Sequence, residues 1–209
     1  MDEGAEGARQ CVILSHIFRR SSKILDLCLA IFAGYTKTMK KIYLVRHGVT
    51  DWNLEKRCMG RTDIPLNEQG REQALEIAKK MANIEIDICY ASPLLRAKET
   101  AETICKGRNI EIIPDDRLME RDCGRAQGQI VTDWSIYIDD ETAEDADSMM
   151  TRAKSFVETL KNESHERILV VSHSGPIKHI RHLLVTPNEE FDYQRWLIGN
   201  CEICEIELG

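Results

Sequence analysis

From Lys41 onward, short runs of consecutive apolar residues alternate with longer segments whose apolar residues recur every three or four positions. Ile42-Tyr43-Leu44-Val45 and Ile168 to Val171 are unbroken, and Ile86 to Ala91, Ile110 to Ile113 and Ile203 to Leu208 are further strand candidates interrupted by acidic residues. Continuous apolar runs of this length predict strands covered on both faces. The periodic segments carry Ala74, Ile77, Ala78, Met81 and Ala82; Ala97, Ala101, Ile104 and Cys105; Met149, Ala153, Phe156, Val157 and Leu160; and Ile177, Ile180 and Leu184. Each reads as the buried stripe of an amphipathic helix. Asn67 is placed to cap the first of them, and Ser92-Pro93 supplies a cap and a first-turn proline for the second. Gly175-Pro176 opens the last. Strand–helix alternation of this kind predicts an α/β fold: a three-layer α/β/α sandwich around a mostly parallel sheet.

Residues 1–38 break the pattern. Ile24 to Gly34 is apolar but too short to span a bilayer, and it contains Asp26. Arg19, Arg20 and Lys23 precede it in the manner of a secretory signal, yet no small-x-small cleavage site follows. Met39 is followed at once by Lys40-Lys41 and a clean strand, as a natural start would be. The expectation is an N-terminal extension over residues 1–38, outside the fold, and one catalytic domain over residues 39–209.

A formal net charge of −7 argues against nucleic-acid and membrane-surface partners. It leaves a small anionic ligand open, because a few clustered arginines make a positive pocket inside an acidic protein. The eight cysteines are scattered, and several sit in apolar runs where a free thiol behaves as a small hydrophobe. That usage fits a reducing, cytoplasmic setting. Cys201 and Cys204 have C-x-x-C spacing, but an offset of three along a strand turns their side chains to opposite faces.

In open α/β sheets, ligands bind beyond the carboxyl ends of the strands. Four successive strand exits carry Arg46-His47-Gly48, Ser92-Pro93-Leu94-Leu95-Arg96, Glu120-Arg121 and Ser172-His173-Ser174-Gly175. His47 and His173, Arg46 and Arg96, and the carboxylate of Glu120 thus converge on one sheet edge. Arginine offers a fixed charge and a planar fork that matches phosphate oxygens. A neutral imidazole is a nucleophile at physiological pH. The combination suits phosphoryl transfer, in which positioning and charge stabilisation supply most of the catalysis.

Arg46-His47-Gly48-Val49-Thr50-Asp51-Trp52-Asn53 resembles the R-H-G-x-T-x-W-N signature of the histidine phosphatase superfamily, the phosphoglycerate-mutase-like enzymes. Pro65-Leu66-Asn67-Glu68-Gln69-Gly70, Ser92-Pro93-Leu94-Leu95-Arg96-Ala97 and Ser172-His173-Ser174-Gly175 are similar to its further motifs, in order and at family-like intervals, from about Lys41 to the end of the chain. The resemblance implies that His47 attacks phosphorus and carries the phosphoryl group. It implies that Arg46, Arg96 and His173 clamp the phosphoryl oxygens with help from Asn53. Glu120 would be the general acid and base, with Asp122 its nearest rival, and neither metal nor organic cofactor would be needed. Two departures stand out: Ser174 replaces the usual glycine after His173, and the residues after Glu120 differ from those of the mutases.

The implied activity is a phosphomonoesterase acting on a small soluble phosphate ester, with a symmetric homodimer as the default assembly. A phosphoglycerate mutase shares every phosphate-pocket residue, but the stretch between Arg96 and His173 is short for one. A phosphate-sensing or scaffold protein without turnover is opposed by the intact set of His47, Arg46, Arg96, His173 and Glu120. His179 and His182 lie three apart on a predicted helix but lack a companion ligand, so the expectation there is a solvated face and not a metal site. The acidic run Asp139-Asp140-Glu141 to Asp147 reads as a solvated loop. Were it to cover the substrate, as that region does in the family, its charge would repel ligands with two or more phosphates.

Overall fold

A computed structural model of the chain describes residues 39–130 and 140–209. The extension over residues 1–38 lies outside the described residues, as does the stretch 131–139. Met39 to Leu208 form one compact unit.

Five strands build a single sheet: β1 (Lys40–Arg46), β2 (Ile88–Ala91), β3 (Glu111–Pro114), β4 (Arg167–Ser172) and β5 (Ile203–Leu208). Their spatial order is β3-β2-β4-β1-β5. The pairs β3–β2, β2–β4 and β4–β1 are parallel, and β5 runs antiparallel to β1 along the edge. The helices are α1 (Asp51–Leu54), α2 (Glu68–Lys80), α3 (Leu95–Cys105), α4 (Ala146–Asn162) and α5 (Ser174–Val185).

The period of two in a strand divides the core into two halves. Ile42 and Leu44 of β1, Ile88 and Tyr90 of β2, and Ile168 and Val170 of β4 face one side, against Phe156, Val157 and Leu160 of α4 and Ile177 and Ile180 of α5. Tyr43, Val45, Cys89, Ala91, Leu169 and Val171 face the other, against Ile77 of α2 and Ala97, Ala101 and Ile104 of α3. Covering both faces is why these strands are continuous apolar runs in the sequence. Cys201 packs at the margin of the second half and Cys204 at the margin of the first, so the C-x-x-C pair is split by the sheet. β3 is the edge strand beside β2, and Pro114 is tolerated there because an edge residue need not donate to a ladder.

Asn67 caps α2 by accepting from the Gly70 amide at 2.9 Å, as its type and position predict. The cap expected at Ser92 is reduced to a long bond, its Oγ accepting from the Leu94 amide at 3.4 Å, and the helix starts beyond it. α3 begins at Leu95 with Leu94 at the cap position, and the Leu95 amide is met instead by Asp63 Oδ1 at 2.7 Å. Ser92 is diverted to a histidine across the sheet. The histidines of α5 also depart from expectation. His179 and His182 are buried, stacked flat and edge-on against Phe191 with ring centroids 4.2 and 5.2 Å apart. Their Nδ1 atoms are engaged locally, with Gly175 O and Thr186 Oγ1. A later loop covers a face that helical periodicity alone reads as wet.

Candidate active site

The parallel ladder runs one residue past each strand and sets the site residues level. The His47 amide donates to Ser172 O, and the Ser92 amide to Val171 O, both at 3.0 Å. His47 and His173 therefore emerge side by side from adjacent strands, with ring centroids 5.0 Å apart. Both are buried.

His47 Nδ1 lies 2.7 Å from the Gly48 carbonyl, which accepts its proton. That contact fixes the tautomer and leaves the Nε2 lone pair as the free end of the ring. The surrounding backbone is held from three directions. Asn200 Nδ2 donates to His47 O at 2.9 Å, and the Gly48 amide donates to Thr100 Oγ1 at 3.1 Å. Thr100 in turn donates to Arg96 O. A Cβ at Gly48 would collide with Gly70 O, and one at Gly70 with Val49 O. The two glycines let the loop after β1 lie directly on the first turn of α2.

His173 occupies the cap position of α5, and its Nε2 lies 2.8 Å from Ser92 Oγ. With Ser92 donating to Nε2, the remaining proton sits on Nδ1, a buried atom without a protein partner. Arg96 is fully buried, its Nη1 and Nη2 donating to Thr62 O and Gly60 O at 2.9 and 2.8 Å. Arg46 Nη1 donates to Ile198 O at 2.9 Å. Neither arginine pairs with a carboxylate among the described residues, and the Nε of each is buried and unpartnered. Two guanidinium groups tied down by neutral carbonyls, with the buried Nε of each and His173 Nδ1 left without partners among the described residues, form a preformed receptor for an anion.

Glu120 stands opposite. Its Oε1 accepts from the Arg121 amide at 2.9 Å and its Oε2 from the Gly175 amide at 3.4 Å. A Cβ at Gly175 would collide with Glu120 Oε1, so the glycine of the second histidine motif makes room for the acid. Asp122 spends its carboxylate in a turn, accepting from the Gly124 amide at 2.9 Å. Glu120, and not Asp122, is the carboxylate in contact with the second histidine motif. Its approach is braced by Arg152, which forks onto Glu144 at 2.6 and 3.0 Å and donates to Arg117 O and Met119 O.

Asn53 forms a capping box at α1, its Oδ1 accepting from the Thr50 amide at 3.0 Å. Only its Nδ2 is left for a ligand. The described part of the acidic run is mixed: Asp140 pairs with Arg125, Glu144 with Arg152 and Asp145 caps α4, while Glu141 and Asp147 are exposed as expected of a solvated segment. Asp139 lies outside the described residues. No group of three or more histidines, cysteines or acidic residues among the described residues could hold a metal ion.

Burial first, then the Arg96 and Arg46 charges, hold the His47 pKa well below the usual histidine value. Burial and the same arginines act likewise on His173. Both rings are neutral in the folded protein at neutral pH, as a nucleophile at His47 requires. Unfolded histidines take up protons below about pH 6.5 while the folded ones do not, so each contributes a loss of stability of up to about 1.4 kcal/mol per pH unit. Stability is full above that pH and falls until the folded pKa is reached. The urea midpoint should drop between pH 7 and 5, with most of the slope removed in a His47→Asn/His173→Asn double variant. An unchanged slope in the double variant would refute the assignment.

A sequence model of the histidine phosphatase superfamily (branch 1) matches residues 42–209. The chain belongs to this superfamily. It is 37% identical over 155 residues to the uncharacterized phosphatase PhoE of Bacillus subtilis, covering 71% of this chain and 77% of the relative. Phosphoserine phosphatase 1 of Hydrogenobacter thermophilus is 32% identical over 155 residues, covering 67% and 74% of the two chains. Among solved structures, a mutant phosphoserine phosphatase from Entamoeba histolytica, in complex with phosphoserine, superposes with a TM-score of 0.67 at 28% identity, covering 79% of this chain and 89% of that one.

Within this superfamily member, the sequence motifs locate His47, Arg46, Arg96, His173 and Glu120, and the fold brings all five to one sheet edge. Ser92, Thr100 and Asn200 act behind them and were not assigned from sequence as site supports. Ser92 sits inside a motif, but a hydroxyl reaching across the sheet leaves no local pattern. No helix among the described residues is long and apolar enough to cross a membrane.

Proposed function

We propose that the protein is a phosphomonoesterase working through a phosphohistidine on His47. The observation that carries this reading is the pair of arginines without counter-ions among the described residues, Arg46 and Arg96, whose charges act on a buried neutral imidazole with Nδ1 engaged by Gly48 O. His47 Nε2 attacks phosphorus as the P–O bond to the alcohol breaks. Arg46, Arg96 and His173 Nδ1–H hold the three equatorial oxygens, and Asn53 Nδ2 is a further donor. Glu120 gives its proton to the departing oxygen, then takes one from the water that attacks the phosphohistidine and releases inorganic phosphate. The fixed cations supply the charge stabilisation that a metal provides in other phosphoryl-transfer sites, so the reaction is proposed to run without one. The relatives named above make phosphoserine a natural substrate to include in any test.

The test is phosphate release from phosphoserine, 3-phosphoglycerate, sugar phosphates and p-nitrophenyl phosphate in excess chelator. Turnover that persists under chelation is the expected result. Conversion of 3-phosphoglycerate to 2-phosphoglycerate without phosphate release would replace this reading with a mutase, and loss of turnover on chelation would replace the metal-free step.

A further inference from the structure

Lys178 of α5 is only 2% exposed, and it forms neither a hydrogen bond nor a salt bridge with any described residue. Lysines are almost never buried unless paired. The group in contact with its charge is the ring of Tyr193, with Nζ 3.5 Å from the ring centroid. Tyr193 is itself half exposed, so it stands as the outer wall against which the ammonium rests. A ring face attracts a cation but leaves its three N–H donors without acceptors.

The direction of the side chain follows from the helix. Cα–Cβ bonds lean toward a helix N-terminus, so Lys178 leads back over the turn containing Ser174 and Gly175. That is the turn whose amide meets Glu120. Burial lowers the Lys178 pKa, with the charge of Glu120 opposing and that of Arg46 adding to the shift. The ammonium therefore lies within electrostatic reach of the acid and of one phosphate clamp, its side chain leaning toward the turn that meets Glu120.

We infer that Lys178, backed by Tyr193, recognises a carboxylate on the alcohol half of the substrate, which makes the substrate class a phosphomonoester of a hydroxy acid. This rests on the phosphomonoesterase reading and deepens it. A carboxylate brings one negative charge to one ammonium. A second phosphate would bring nearly two, with the Glu120 carboxylate close by.

Matched ester pairs provide the test. 3-Phosphoglycerate and glycerol 3-phosphate differ by a carboxylate against a hydroxymethyl, and phosphoserine and phosphoethanolamine by a carboxylate against hydrogen. The protein should favour the carboxylated member of each pair by about tenfold or more in kcat/KM, the effect of one charge-assisted contact. Lys178→Met should collapse that ratio to near one, chiefly through KM, and Lys178→Arg should restore most of it. Equal turnover of both members by the unmodified protein overturns the inference, as does a ratio that survives Lys178→Met. In those cases phosphate is still released and the phosphomonoesterase reading stands. No release from any ester, p-nitrophenyl phosphate included, removes both.

Discussion

Replacing His47 with glutamine should reduce phosphate release by at least about 10,000-fold, the range seen when a covalent nucleophile is removed and only the binding residues remain. Glutamine keeps a polar side chain of similar length, yet it has no nucleophilic lone pair to offer at the Nε2 position. The site leaves no substitute. His173 is turned away through Ser92, and its ring is directed to the anion by an N–H rather than a lone pair. The same substitution should abolish acid-labile, base-stable labelling of the protein by a 32P-ester, whereas a Glu120→Gln protein should still label and hydrolyse the intermediate slowly. Undiminished labelling of His47→Gln would place the nucleophile elsewhere.

The second large effect is expected at Arg96. Arg96→Met should lower kcat/KM by about a thousandfold, because an arginine on the transferring phosphoryl group is worth this much or more. Its effect on stability should be far smaller, within about 2 kcal/mol in either direction. Two terms oppose each other there. The carbonyls of Gly60 and Thr62 lose their donors, which destabilises. Removing a buried charge that repels Arg46 and has no paired carboxylate stabilises. Inorganic phosphate or vanadate should raise the melting temperature of the unmodified protein and should not raise that of Arg96→Met. Urea unfolding beside steady-state kinetics separates the two effects. A variant that keeps kcat/KM within tenfold would remove Arg96 from the phosphate clamp.

The fold of this chain was legible where its cause is local or periodic. Consecutive apolar runs predict doubly covered strands because a two-residue period places neighbours such as Leu44 and Val45 in opposite halves of the core. Helical stripes at Ala97, Ala101 and Ile104, and at Phe156, Val157 and Leu160, predict faces that the structure buries. The site residues were legible for a related reason. They follow strands directly, and parallel pairing brings the ends of β1, β2 and β4 to one level whatever the connections between them.

What the sequence determined, then, is the alternation of elements, the sheet edge that carries the chemistry, and the residue types that meet there. Only the tertiary structure decided how those residues are held and which neighbours join them. Ser92 reaches across the sheet to His173, a partner that its own segment does not reveal, while the Leu95 amide at the start of α3 is met by Asp63. Arg96 is anchored by the carbonyls of Gly60 and Thr62, atoms that every residue carries and no sequence pattern marks. Glu120 was separated from Asp122 by Gly175, whose missing Cβ matters only once α5 lies beside the loop. His179, His182 and Lys178 were hidden by Phe191 and Tyr193, residues of a loop whose course over α5 is set by long-range packing. Periodicity along one segment reports which face is apolar, and it is silent on what another segment lays across the rest.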